Sequence, residues 1–182
     1  IKPKKYLNMN IEVITSSFKN NKLDAAVIWE PTASKIQLQG LARRAASGES
    51  FEGVEGGDAG FLAMLYEIIR DRPDVQRGWL EAELDAQLFL KDLGNATAVS
   101  KMADDQTEGM DRRILWASLY GQNPKSIGGG EEKLTLRYVF DDTARQLVTA
   151  ATRFLHGRKV VPSAILRPEA IMDDVAKAVL TS

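Results

Sequence analysis

Apolar residues in the first 65 positions form short runs that polar turns separate. The runs are too short for buried helices, and their length is typical of β-strands. They lie at residues 11–14, 24–29, 41–46 and 60–65. Between the second and third runs, Pro31 or Thr32 can open a helix that reaches Gln39 and ends at Gly40. Strands that alternate with helices in this way predict an α/β fold.

From Tyr66 onward the apolar residues recur at every third or fourth position, which predicts helices. A short helix is expected over residues 66–72, and Asn95 can cap another that runs to about Ala103. Proline and aspartate mark the other expected helix starts, at Pro73, Asp111, Asp141 or Asp142, and Pro168. We expect the large apolar residues of these helices to share one buried core, formed by Trp79, Phe89, Trp116, Leu147 and Phe154 or Leu155.

The run at residues 24–29 ends abruptly, and its end is the strongest functional lead in the sequence. Pro31 has no N–H to donate to a ladder and disfavours helical geometry at Glu30, so the strand stops there. Trp29 and Glu30 then lie at the carboxyl end of a parallel strand, where open α/β sheets bind their ligands. An indole offers a flat apolar face and a donor, and a carboxylate can bind an amine. The alternative is a core tryptophan beside a glutamate that caps the next helix.

The first turn of the helix after Pro31 is a second candidate. Free amide groups and the positive end of the helix dipole favour anions there, and Thr32, Ser34 and Lys35 lie in this turn. The ammonium group of Lys35 adds positive charge. The alternative is an ordinary solvated helix end.

Residues 19–31, with the sequence KNNKLDAAVIWEP, also carry a family resemblance. A polar turn, a hydrophobic–Asp–Ala–Ala strand and Trp–Glu–Pro resemble a segment of the periplasmic solute-binding proteins of the nitrate/sulfonate/taurine type. The order of elements agrees more loosely as far as the C-terminus. The resemblance implies the type II periplasmic binding protein fold, in which two lobes enclose a ligand and present it to an ABC-transporter permease.

The resemblance also implies a division of the chain. Residues 1–50 are expected to be the C-terminal part of one lobe, residues 51–65 the crossover or hinge, and residues 66–182 the mainly helical part of the other lobe. The glycine-rich segment 48–60 either absorbs hinge bending or is an ordinary surface loop. The fold is expected to be incomplete at its N-terminus, because strands of both lobes are missing. The expected ligand-binding residues are Trp29, Glu30, Pro31, Thr32 and Asp58.

Composition excludes several classes of function. The net charge is −1 and the charges are well mixed, so no basic stripe is present for nucleic acid. The absence of cysteine excludes disulfides and thiolate metal sites, and His156 as the single histidine argues against a histidine metal site or a Ser–His triad. No apolar run is long enough to span a bilayer. We therefore expect a binding protein rather than an enzyme, with no cofactor and no metal.

The expected function is the solute-binding component of an ABC importer, which captures a small anionic or zwitterionic solute that contains nitrogen or sulfur. Its expected location is the periplasm, or the cell exterior through a lipid anchor, and its signal sequence is not in this chain. The expected partners are the small-molecule ligand and the permease. Two alternatives stay open: the effector-binding domain of a regulator, and a protein that binds or makes the pyrimidine precursor of thiamine. The related thiamine enzymes use histidines and cysteines, which this chain lacks or nearly lacks.

Overall fold

The computed structural model describes residues 5–45, 60–107, 110–122 and 136–182. Helices make up 60% of these residues, and no strand is found among them. In these ranges, eight α-helices follow one another: α1 (Ile11–Lys19), α2 (Thr32–Leu38), α3 (Tyr66–Asp71), α4 (Pro73–Lys91), α5 (Ala96–Gln106), α6 (Arg112–Tyr120), α7 (Asp142–Gly157) and α8 (Asp174–Leu180). The described residues also include two short 3₁₀ turns, at Leu93–Asn95 and Pro168–Ala170.

The prediction of an α/β, type II binding-protein fold is wrong, because the described residues contain no sheet. Residues 24–29, 41–45 and 60–65 contain no strand in the structure. An apolar run becomes a strand only when a neighbouring strand pairs with its N–H and C=O groups, and a run of residues does not reveal whether that neighbour exists.

The first predicted strand, residues 11–14, is instead the start of α1. Its β-branched residues favoured a strand, yet Ile11, Ile14 and Phe18 also recur at the helical spacing i, i+3 and i+7. Within the helix the hydroxyl of Thr15 donates to the carbonyl of Ile11 at 3.2 Å. A window of four residues was too short to separate the two periods.

Three of the helix starts predicted from proline or aspartate are confirmed. Pro73 occupies the first turn of α4. Asp111 caps α6 by accepting the N–H of Arg113, and Asp141 caps α7 by accepting the N–H of Ala144. The expected helix at Pro168 is only a 3₁₀ turn, and α8 begins six residues later at Asp174.

The chain divides into two compact units, each made of two separate segments. The first unit combines Ile1–Ser47 with Ala96–Leu134. In it, α6 packs against both α5 and α2, and α1 touches α2. Its buried apolar residues come from those packed helices: Ile36 from α2, Ala96 and Val99 from α5, and Ile114 and Leu115 from α6. The predicted division at residues 50 and 65 stays a prediction.

The second unit combines Gly48–Asn95 with Thr135–Ser182, and in it α4 packs against α3 and α8. The rings of Phe61 and Phe140 stack with their centroids 5.5 Å apart. The Tyr138 hydroxyl donates to the Leu80 carbonyl on α4 at 2.6 Å. The buried apolar residues are small, namely Ala144, Ala176 and Val179.

The predicted core of large apolar residues is wrong. Trp79 is 43% exposed, Trp116 and Phe89 are also exposed, and the two tryptophans belong to different units. The spacing of apolar residues identifies a helix face but not the element that covers it. The structure therefore buries aliphatic side chains at helix contacts and leaves several aromatic ones on the surface.

Candidate functional site

The Glu30 side chain holds the start of α2 in place. Its Oε2 atom accepts the backbone N–H of Ser34 at 3.0 Å, and its Oε1 atom accepts the Arg44 guanidinium at 2.5 Å. The Arg44 side chain is only 12% exposed, so this ion pair is shielded on one side. Glu30 thus caps α2 and ties residue 44 to the helix start. Capping of the next helix was the alternative interpretation of Glu30 from the sequence. The structure adds the ion pair with Arg44.

The other predicted ligand residues differ in accessibility. The Trp29 side chain is 70% exposed, and its backbone carbonyl accepts the N–H of Ala33 in the first turn of α2. Pro31 occupies the N-cap position, and Thr32 is buried. Asp58 lies outside the described residues. Trp29 is therefore the predicted residue with the most side-chain surface open to a ligand.

A pocket of about 540 Å³ lies in the first unit, beside α2. Three of its residues, Lys35, Leu38 and Gln39, share one face of α2 because they are spaced i, i+3 and i+4. The remaining lining residues are Thr107, Met110, Asp111, Arg113 and Ile114. Its volume falls in the range of about 300–1,000 Å³ that is typical of small-molecule sites.

The pocket carries both signs of charge. The Arg113 Nη2 atom donates to Asp111 Oδ2 at 2.6 Å, and the Arg113 backbone N–H donates to Asp111 Oδ1 at 2.9 Å. These hydrogen bonds lower the pKa of Asp111 to about 2, so its carboxylate is ionised at neutral pH. Lys35 makes no ion pair with any described residue. The pocket therefore offers one ammonium group that forms no ion pair with a carboxylate of the described residues.

Sequence reasoning missed most of this arrangement. Lys35 was noted for the helix start, but nothing in the local pattern joined it to Asp111 and Arg113, which are more than seventy residues away. Nothing in the local pattern identified Arg44 as the partner of Glu30. The common face of Lys35, Leu38 and Gln39 was the one sequence signal for the pocket. That signal does not identify the residues that complete the lining.

In the described ranges, no cluster of histidine, aspartate or glutamate side chains is arranged to hold a metal ion. Among the same residues, no helix combines the length and the apolar character that crossing a bilayer requires.

Comparisons with known proteins do not assign the chain to a family. No protein-family model, no curated protein and no solved structure matches it. The resemblance of residues 19–31 to the nitrate/sulfonate/taurine-type proteins therefore stays an expectation from the sequence.

Proposed function

We propose that this chain belongs to the solute-binding component of an ABC importer and captures a small anionic or zwitterionic solute of the nitrate, sulfonate or taurine class. The observation that carries the proposal is the pocket beside α2, in which Lys35 has no ion-pair partner in the described part of the chain. An uncompensated ammonium group in a concave site favours an anion.

The rest of the pocket lining supports a zwitterion in particular. A sulfonate or nitrate oxygen can accept hydrogen bonds from Lys35 and from the Gln39 amide. The Asp111 carboxylate is ionised and can receive an ammonium group, while Leu38 and Met110 suit a short carbon chain. Taurine carries all three features within a few bonds.

The motif and the pocket are connected through one helix. Residues 19–31 lead directly into α2, and Glu30 caps that helix while Lys35 lies one turn further along. Trp29 places an exposed indole just before the same helix. By this proposal the partner is the importer's permease, and the location is the periplasm or the cell exterior.

Titration calorimetry with taurine and with nitrate tests the proposal. At least one of the two should bind the wild-type chain with a Kd below about 1 mM, and Lys35→Met should weaken binding more than tenfold, or by about 1.4 kcal/mol. Lys22→Met is the matched control, because Lys22 is an exposed lysine of the same unit that does not line the pocket. Trp29→Ala reports separately whether the indole contributes.

Two results would refute the proposed function. One is the absence of heat with both solutes at millimolar concentration. The other is binding that Lys35→Met and Lys22→Met change equally, since the pocket would then play no part.

A further inference from the structure

The apolar face of α7 starts in the core and ends in solvent. With about 100° of rotation per residue, six apolar residues fall within roughly 120° of the helix surface. Ala144 in the first turn is buried, Leu147 and Val148 are partly buried, and Ala151 is exposed. In the last turn, Phe154 is 67% exposed and Leu155 is also exposed. The exposure of this apolar face therefore increases toward the end of α7, and among its large side chains it is greatest at Phe154.

The segment after α7 also exposes apolar side chains to solvent. Val160 and Ile165 are both exposed, and they follow the helix within ten residues of its end. Phe154, Leu155, Val160 and Ile165 are large apolar side chains in water, which favours a partner that removes them from it.

The charges of this region have one sign. Residues 143–168 contain five basic residues and no acidic residue. Arg145 pairs with Asp173 at 3.0 Å. The other four, Arg153, Arg158, Lys159 and Arg167, make no ion pair with a described residue. In a chain with net charge −1, this is a local excess of positive charge.

We propose that the end of α7 and the segment that follows it bind an anionic lipid surface. We call this region the basic apolar surface, and it consists of Phe154, Leu155, Arg158, Lys159, Val160 and Ile165. The apolar side chains enter the boundary between headgroups and acyl chains, and the cations contact lipid phosphates. Arg158 follows Phe154 at i+4, so its long side chain starts on the side of α7 that carries the aromatic ring.

The observations favour a bilayer over an acidic protein. The core of a protein interface is usually depleted of charged residues, whereas Arg158 and Lys159 directly precede the exposed Val160 here. Anionic lipid tolerates that arrangement because its charge is continuous and its surface is deformable. The inference goes beyond the proposed solute binding, and it concerns the second unit, whereas the pocket lies in the first.

Vesicle sedimentation tests the proposal on the full chain. The wild type should co-sediment with vesicles of phosphatidylglycerol and phosphatidylcholine at physiological salt, and much less with phosphatidylcholine alone. Removing two cations in Arg158→Gln/Lys159→Gln should lower the partition coefficient about 30-fold, at ~1 kcal/mol for each charge. Phe154→Ser should also lower it, because the ring no longer enters the boundary.

Leu88→Ser is the matched control for Phe154→Ser, since Leu88 is 58% exposed on α4 of the same unit. The control should sediment with vesicles as the wild type does. Because Phe154 and Leu88 are both exposed, circular dichroism should show wild-type helix content in both variants. Raising the salt to 1 M should weaken binding, since the Debye length falls to about 3 Å.

Several outcomes would overturn the proposal. Equal binding to anionic and neutral vesicles would show that the cations do not contribute to lipid binding. If Leu88→Ser and Phe154→Ser weakened binding to anionic vesicles equally, the end of α7 would have no specific role in that binding. Retention on a polyglutamate resin without binding to vesicles would indicate an acidic protein as the partner instead.

Discussion

Asp173 is the polar centre of the second unit, and replacing it by asparagine tests how that unit is held together. The Asp173 side chain is only 6% exposed. It accepts hydrogen bonds from the Lys177 ammonium at 2.8 Å, from the Arg145 guanidinium at 3.0 Å and from the Phe140 backbone N–H at 3.2 Å. One carboxylate therefore links α7, α8 and the segment before α7.

The expected loss of unfolding free energy follows from those three hydrogen bonds. Asp173→Asn keeps the shape and one acceptor oxygen but points an NH₂ group at one of the two cations. A hydrogen bond to a charged group contributes about 1.5–3 kcal/mol, and breaking a fully buried pair costs about 3–5 kcal/mol. Here the Arg145 and Lys177 side chains are 40% and 50% exposed, so both can turn to water. We expect a loss of about 2–3 kcal/mol in the unfolding free energy of the second unit.

Urea unfolding followed by tryptophan fluorescence measures this loss. Trp29 and Trp116 belong to the first unit and Trp79 to the second, so Trp29→Phe/Trp116→Phe leaves one reporter in the unit of interest. Asp174→Asn is the control in that background. Asp174 is exposed at the first position of α8, and its loss should cost less than about 0.5 kcal/mol.

The pH dependence gives an independent check. Burial raises the pKa of Asp173, but the hydrogen bond from Lys177, the charges of Arg145 and Lys177 and the Phe140 N–H together lower it below its ordinary value. The unfolded chain then binds the proton more readily than the folded chain, so this contribution is present above about pH 4 and is lost as the pH falls through the folded pKa.

The difference in unfolding free energy between the wild type and Asp173→Asn should therefore shrink below pH 4. The reasoning is refuted if Asp173→Asn and Asp174→Asn cost the same at pH 7. It is also refuted if the difference at pH 7 persists unchanged to pH 2.

Three further substitutions give expected outcomes for single features of the structure. Glu30→Gln should destabilise the first unit by about 1–2 kcal/mol in urea unfolding, because Arg44 loses its anion, whereas no change would mean that the ion pair is not formed. Trp79→Ala should cost less than about 2 kcal/mol rather than the 3–5 kcal/mol of a buried tryptophan, and a larger cost would contradict its exposure. Gly40→Ala should cost about 1 kcal/mol in thermal unfolding, because Gly40 has φ +67° where alanine is strained; a neutral result would contradict that geometry.

The sequence by itself determined where most helices start. Pro73, Asp111 and Asp141 were recognisable because proline preorganises the first turn and an aspartate side chain satisfies free N–H groups within three residues. Such interactions act between near neighbours along the chain, so they can be identified without knowing the fold. The capping role of Glu30 was open to sequence reasoning for the same reason.

Only the tertiary structure decided which apolar runs pair, which helix faces are covered and which charges meet. Residues 24–29 have no strand partner in the described chain, and Trp79 and Trp116 have no large buried core to enter. The contacts of Arg44 with Glu30 and of Asp173 with Arg145 span 14 and 28 positions. Lys35 and Asp111 line the same pocket although they are 76 positions apart. Contacts over such distances depend on how the helices pack, because a local pattern records the chemistry of a side chain but not the neighbour that folding brings to it.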